Sequence, residues 1–270
     1  MRLPLSRAET ALLAASAALF LVAVFGPAIS QPGDYHHFAD QRMLWQLPHA
    51  MDVLSNLAFA FAALLGGAAL WQARNAMSNM QRAMAALFFA GLLLAAAGSG
   101  WYHLAPDEAG LAVDRSAMAV AFAGLLGLAA ASRVSERAGA WLGISVLVLG
   151  PIAANVVVST ANVLPWALLQ FGGMATVVAL ALCSARVGTL PVPLAAVTVA
   201  YAIAKLLEIN DQSIFELTGQ WVSGHTLKHV AAALAAIPVI SALREAAESR
   251  QNAADMTTNR PAASRNAGQA

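Results

Sequence analysis

The sequence predicts an all-α integral membrane protein: a core of seven transmembrane helices with one additional N-terminal hydrophobic helix. Three observations carry this expectation. Hydrophobic residues make up 59% of the 270 and charged residues only 11%, with a mean hydropathy of +0.65, far outside the range of soluble domains. Apolar stretches of the ~17–25 residues needed to cross a bilayer recur along the whole chain. Arginine gathers in alternate connections, as cytoplasmic loops require.

The stretches cover approximately 9–29, 50–72, 82–104, 113–132, 138–157, 164–184, 190–208 and 223–243. The first follows Arg2 and Arg7 and ends in Ala28-Ile29-Ser30, a shape shared with cleavable signal peptides. Its apolar run is longer than the ~7–15 residues of a signal-peptide core, so it reads as a retained helix. The chain thus divides into an N-terminal helix and outer loop (1–44), a seven-helix core (45–243) and a cytoplasmic tail (244–270). Residues 249–270 of that tail are polar without helical periodicity and read as disordered. Loops are too short to hold a soluble domain.

With eight alternating helices, Arg2, Arg7, Arg74, Arg82, Arg133, Arg137, Arg186, Arg244, Arg250, Arg260 and Arg265 share one side. Asp34, Asp40, Asp107, Glu108, Asp211 and Glu216 share the other, with Arg42 the clearest exception. Both termini are therefore expected in the cytoplasm. The Ala-rich, short-loop sequence reads as bacterial, which places the acidic loops on the periplasmic side of an inner membrane. No basic patch interleaves with aromatic residues, so no nucleic-acid partner is expected. The lone Cys183 excludes a disulfide framework or a thiolate metal site, and reads as a small buried hydrophobe. Gly66-Gly67 and Gly172-Gly173 read as sites of close helix contact.

Histidines inside such stretches carry the chemistry. His225 and His229 form an H-x-x-x-H pair at the head of the last stretch, neighbours on one helix face. His103 closes the third stretch, and Ser99 lies one turn before it. Asp114 opens the next. Four helices therefore deliver Ser55, Asn56, Ser99, His103, Asp114, His225 and His229 to one membrane face. Three imidazoles leave a fourth position of a tetrahedral zinc to water, the catalytic pattern, and bound zinc lowers the pKa of that water to about 7. Iron, copper or nickel would also accept imidazoles. Ser99 is placed to donate to a carbonyl or oxyanion, and Asp114 to accept a proton or to orient a ligand. Ser55 and Asn56 read as interhelical hydrogen-bonding groups, Glu208 and Lys205 as an interfacial pair, and His36, His37 and His49 as solvated or interfacial. Asp52 reads either as an interfacial charge or as a support to the site.

Taken together, Ser55-Asn56, Gly98-Ser99 with His103, Asp114 and His225-x-x-x-His229 resemble the alkaline ceramidases, across about 45–243. These belong to a wider superfamily of seven-helix membrane hydrolases that includes the progestin and adiponectin receptors. The resemblance implies a zinc-dependent amidase that cleaves the N-acyl bond of a ceramide, with His103, His225 and His229 as ligands. It also implies that Asp114 acts on the activated water and that Ser99 contacts the metal site or the substrate carbonyl. Asp34, Asp40, His49 and Asp52 lack the acidic pattern that resembles a calcium site in animal members, so calcium dependence does not carry over. Ala117-Met118 stands where the family tends to have a proline before the methionine. A bacterial setting extends the substrate to other N-acylated lipids. Three rivals stand beside this expectation: a lipid-binding or receptor-like protein with structural zinc, a lipid ester hydrolase, and a transporter using these groups as a proton relay.

Overall fold

The computed structural model describes residues 4–258. It is all-helical, and among the described residues the only extended pairing is two isolated bridges, Ser30 with Asn162 and Leu44 with Leu47. In chain order the helices are α1 (Arg7–Phe25), α2 (Ala50–Ser55), α3 (Leu57–Ala73), α4 (Asn79–Leu104), α5 (Glu108–Arg133) and α6 (Glu136–Thr160). They continue with α7 (Leu164–Ala167), α8 (Gly173–Ala181), α9 (Leu194–Ile209), α10 (Asp211–Leu217), α11 (Gly224–Leu234) and α12 (Ile237–Thr258). A π turn over Leu168–Gly172 joins α7 to α8, and Pro238 leaves α11 and α12 as a broken pair rather than one rod.

Seven helical segments among the described residues are long and apolar enough to cross a membrane: α1, α2–α3, α4, α5, α6, α7–α8 and α11–α12. The expected eighth stretch, 190–208, falls short. Pro191 and Pro193 hold residues 190–193 out of the helix, because the residue before a proline avoids the α region. The sixteen residues of α9 rise about 24 Å, less than a hydrocarbon core of ~30 Å. At the other end the expected disorder from 249 is corrected. Helix α12 runs on to Thr258, because 244–258 is rich in good helix formers and Ala246 and Ala247 pack on the core. Arg250 also donates to the Asn75 carbonyl. Residues 259–270 lie outside the described residues, as do Arg260 and Arg265.

Burial ranks the helices. Two thirds of the apolar window of α5 (67%) is buried, against 11% for α1, so α5 is the axis of the bundle and α1 lies outside it. Helix α5 packs lengthwise between α4 and α6. Small residues permit this: a Cβ on Gly91 would lie 2.2 Å from the Ala121 nitrogen, and one on Gly124 2.2 Å from the Phe88 nitrogen. Gly66 likewise accommodates the Phe89 ring, and Gly172 faces Leu19. Gly67 meets nothing, so only part of the glycine reading holds. Cys183 is exposed rather than buried, because α8 ends at Ala181 and the chain turns away. Phe61, Leu64, Leu65 and Trp71 of α3, with Phe20, Leu21 and Phe25 of α1, form a broad exposed apolar girdle.

Serine and aspartate caps fix the helix starts. Ser78, Asp107, Ser135 and Ser223 each accept from a backbone N–H of the following turn, and Ser6 with Glu9 forms a capping box on α1. Glu9 also accepts from Ser135 and Arg137, which moors the start of α1 to the start of α6. A Gly124→Val substitution is expected to destabilise by about 1–3 kcal/mol through overpacking, read as a lower thermal midpoint in detergent. Gly67→Ala, with open space before it, should leave the midpoint unchanged.

Candidate metal centre

Helix α4 ends and α11 begins at the same end of the bundle, opposite Arg82, Arg133 and Arg137. Their caps and junctions set the site. Gly224 lets α11 seat against the chain between α9 and α10: a Cβ there would lie 2.2 Å from the Leu207 carbonyl oxygen. Asp211 accepts from the His225 backbone N–H at 2.7 Å and from that of Ala39 at 3.0 Å. A carboxylate at a helix N-terminus is favourable, and this one ties the 30–49 loop to the first turn of α11.

His103, His225 and His229 come together as the sequence predicted. All three are buried, and one ligand atom of each lies within 4.8 Å of the others. The Nε2 atoms of His103 and His225 are 3.2 Å apart. Two nitrogens held ~2.0–2.1 Å from one tetrahedral ion would stand about 3.3 Å apart, so the pair is already spaced for sharing a cation. His229 is held from behind. Its Nδ1 lies 2.7 Å from Ser55 Oγ, and Ser55 donates its single hydroxyl proton to the Asp52 carbonyl at 3.0 Å. The serine must then accept from Nδ1–H, which leaves the His229 Nε2 lone pair free for a metal. Three converging imidazoles with one tautomer fixed suit zinc; the ion's identity is not set by this geometry.

Several supporting residues escaped the sequence reading. Phe38 is buried from the loop side, its ring centroid 4.7 Å from His103 and 4.3 Å from His225. Arg42 holds that loop in place, bonding the Asp40 carboxylate through two nitrogens (2.8 and 2.6 Å) and the Trp221 carbonyl. Burial opposes the Asp40 charge, but the Arg42 hydrogen bonds outweigh it and hold the carboxyl below its usual range. Its contribution is therefore present above the unfolded carboxyl range and is lost as the pH falls through the lowered folded value. Asp52 is wholly buried, accepting from Thr226 and Ser223. Of its two earlier readings, the supporting one fits. His36 is half-buried rather than freely solvated, and it bridges Tyr102 and Glu108. His37 is exposed as expected. Asn56 donates only within its own turn, to the Asp52 carbonyl. Aromatic residues and a loop contact leave no period in the chain, whereas Ser55 was visible and needed only its partner.

Asp114 and Ser99 lie beside the histidines but are not part of the ligand cluster among the described residues. Ser99 of α4 and Asp114 of α5 line the same cavity, of about 140 Å³, and with His229 they form its polar end. His103 and His225 do not line it. Phe88, Leu92, Ala95 and Ser99 present one face of α4 to the cavity, a run of about 16 Å at 1.5 Å per residue. Asp114, Met118, Phe122 and Leu125 of α5 run alongside. The result is an amphipathic cleft, polar at the histidine end and apolar below. Glu208 stands at that polar end between two lysines: Lys228 donates to Oε1 at 2.7 Å, and Lys205 pairs with Oε2. The expected Lys205–Glu208 pair thus exists, inside the cleft.

Fold and centre together define an all-helical protein of membrane-spanning proportions with three buried histidines beside an amphipathic cleft. No protein-family model matches the chain, and no curated protein matches it.

Metal analysis of purified protein should find about one divalent ion per chain, and a His225→Ala variant should find essentially none. Ser55→Ala should keep the ligands but weaken metal affinity about 10–100-fold, the usual cost of removing a ligand's hydrogen-bond partner; unchanged affinity contradicts the tautomer argument.

Proposed function

We propose that the chain is a multi-pass membrane hydrolase that uses zinc to cleave the N-acyl amide bond of a ceramide-like lipid, releasing a fatty acid and a long-chain amine. The observation that supports this reading is the continuity between centre and cleft: His229 belongs to both, with Ser99 and Asp114 beside it and three turns of apolar wall beyond. An acyl chain lying along Phe88, Leu92, Phe122 and Leu125 brings its amide to the polar end. By the positive-inside rule the arginine-rich end faces the cytoplasm and the centre the periplasm.

His103, His225 and His229 would hold the ion; zinc so bound would acidify a water to about pKa 7 and polarise the carbonyl. Asp114 is placed to take one proton from the attacking water. It returns that proton to the amide nitrogen as the carbon–nitrogen bond breaks, so one water yields one acid and one amine. Ser99 donates its one hydroxyl proton toward the carbonyl oxygen as negative charge develops there.

A second reading, a lipid-binding protein with a structural ion, draws support from the Phe38 ring that covers His103 and His225 away from the cleft. The readings part on turnover. Incubated with N-acyl lipids, the hydrolase releases fatty acid, and a chelator abolishes the release. Asp114→Asn should retain the metal yet lower the rate at least about a hundredfold, within the 10²–10⁴ range of general acid–base catalysis. His103→Ala should lose both metal and activity. Bound metal with no release from any N-acyl lipid would favour the structural ion and end the hydrolase proposal.

A further inference from the structure

The hydrolytic scheme uses His229, Ser99 and Asp114 but leaves Lys205, Glu208 and Lys228 unexplained. All three line the polar end of the cleft, on α9 and α11, facing the wall that carries Ser99 and Asp114. Lys228 immediately precedes His229. Their side chains are only 20–25% exposed, and charged groups at such depth are costly unless paired. Pairing here is incomplete. Glu208 alone bonds the two ammoniums, and Asp114, the other carboxylate of the lining, stands opposite with no hydrogen bond to either among the described residues. Each ammonium has three donors and gives one to Glu208, leaving two N–H bonds on each lysine. The Phe171 ring lies 5.7 Å from Lys205 Nζ. A hydroxyl brings no charge to such donors; an anionic oxygen makes the shorter, stronger bonds.

We infer that Lys205 and Lys228, held in place by Glu208, form a subsite for a carboxylate carried by the substrate next to its amide. Among the N-acylated lipids that such a hydrolase would cleave, the substrate class is then an N-acyl amino acid. This deepens the proposed function and rests on its view of the cleft as an amphiphile site. With the chain along Phe88, Leu92 and Leu125 and the amide at Ser99 and Asp114, the atoms bonded to the amide nitrogen reach the lysine wall. Glu208 keeps the ammoniums apart and leaves their remaining N–H bonds for one anionic group.

Binding to the full chain in detergent, treated with chelator so that no turnover occurs, tests the inference independently of hydrolysis. The probes are N-dodecanoylglycine, its neutral counterpart N-dodecanoylethanolamine, and dodecanoate. Wild type should bind the glycine conjugate at least tenfold more tightly than the ethanolamide. Lys228→Met should reduce that preference below threefold, leaving ethanolamide affinity within twofold, and Lys228→Arg should restore it. Lys205→Met serves as a second variant should Lys228→Met fail to fold, and the wild-type comparison needs no variant. Equal affinity for the glycine conjugate and the ethanolamide overturns the inference, as does a preference that survives in both lysine variants. Tight binding of dodecanoate without preference for the glycine conjugate also overturns it, by assigning the lysines to the acid product. Failure of hydrolysis alone leaves these binding results standing, and failure of binding leaves the hydrolase proposal standing.

Discussion

Burying three imidazoles together is the constraint from which the rest of this end of the molecule follows. Neutral imidazoles aimed at one point repel through their lone pairs, and charging them in an apolar surround is costly. A shared cation answers both problems, provided that the rings are held and the tautomers are fixed. The surrounding structure answers to that need. Ser55 fixes His229 from α2, Asp211 anchors the start of the helix that carries His225, and Phe38 closes over His103 and His225. None of these residues reacts, yet each limits how far a ligand can turn.

The same constraint explains the architecture around the site. Helix α11 can bring two histidines to the centre only by lying hard against the α9–α10 junction, which Gly224 allows. Helix α4 can bring His103 there only along α5, where Gly91 and Gly124 remove the side chains that would hold the two backbones apart. That close pairing also aligns Ser99 with Asp114 and leaves the cleft between their apolar turns and α9. The lysine–glutamate group on α9 and α11 then completes a polar mouth above an apolar channel.

Much of this was legible in the sequence because membrane-length apolar runs make the few polar residues conspicuous. The helix-spaced pair His225 and His229, the Ser99-to-His103 turn and the side of the bundle they occupy needed only periodicity and topology. What escaped has physical causes. Proline-bounded α9 has the composition of a spanning helix but not its length. The alanine- and glutamate-rich run after Arg244 is polar enough to read as a tail, yet its propensity and its contacts with the core keep it helical. Phe38 and Arg42 act through a loop whose path depends on tertiary contacts. Lys228 was hidden between two histidines, and its partner Glu208 lies across a helix interface.

The proposed chemistry stands on a metal held by His103, His225 and His229, and X-ray absorption at the metal edge of the purified protein reads that ligation. The expected spectrum is zinc with three imidazole nitrogens and one oxygen at about 2.0–2.1 Å. A spectrum with no metal, or with a metal that lacks imidazole scattering and is unchanged by His103→Ala, would contradict it.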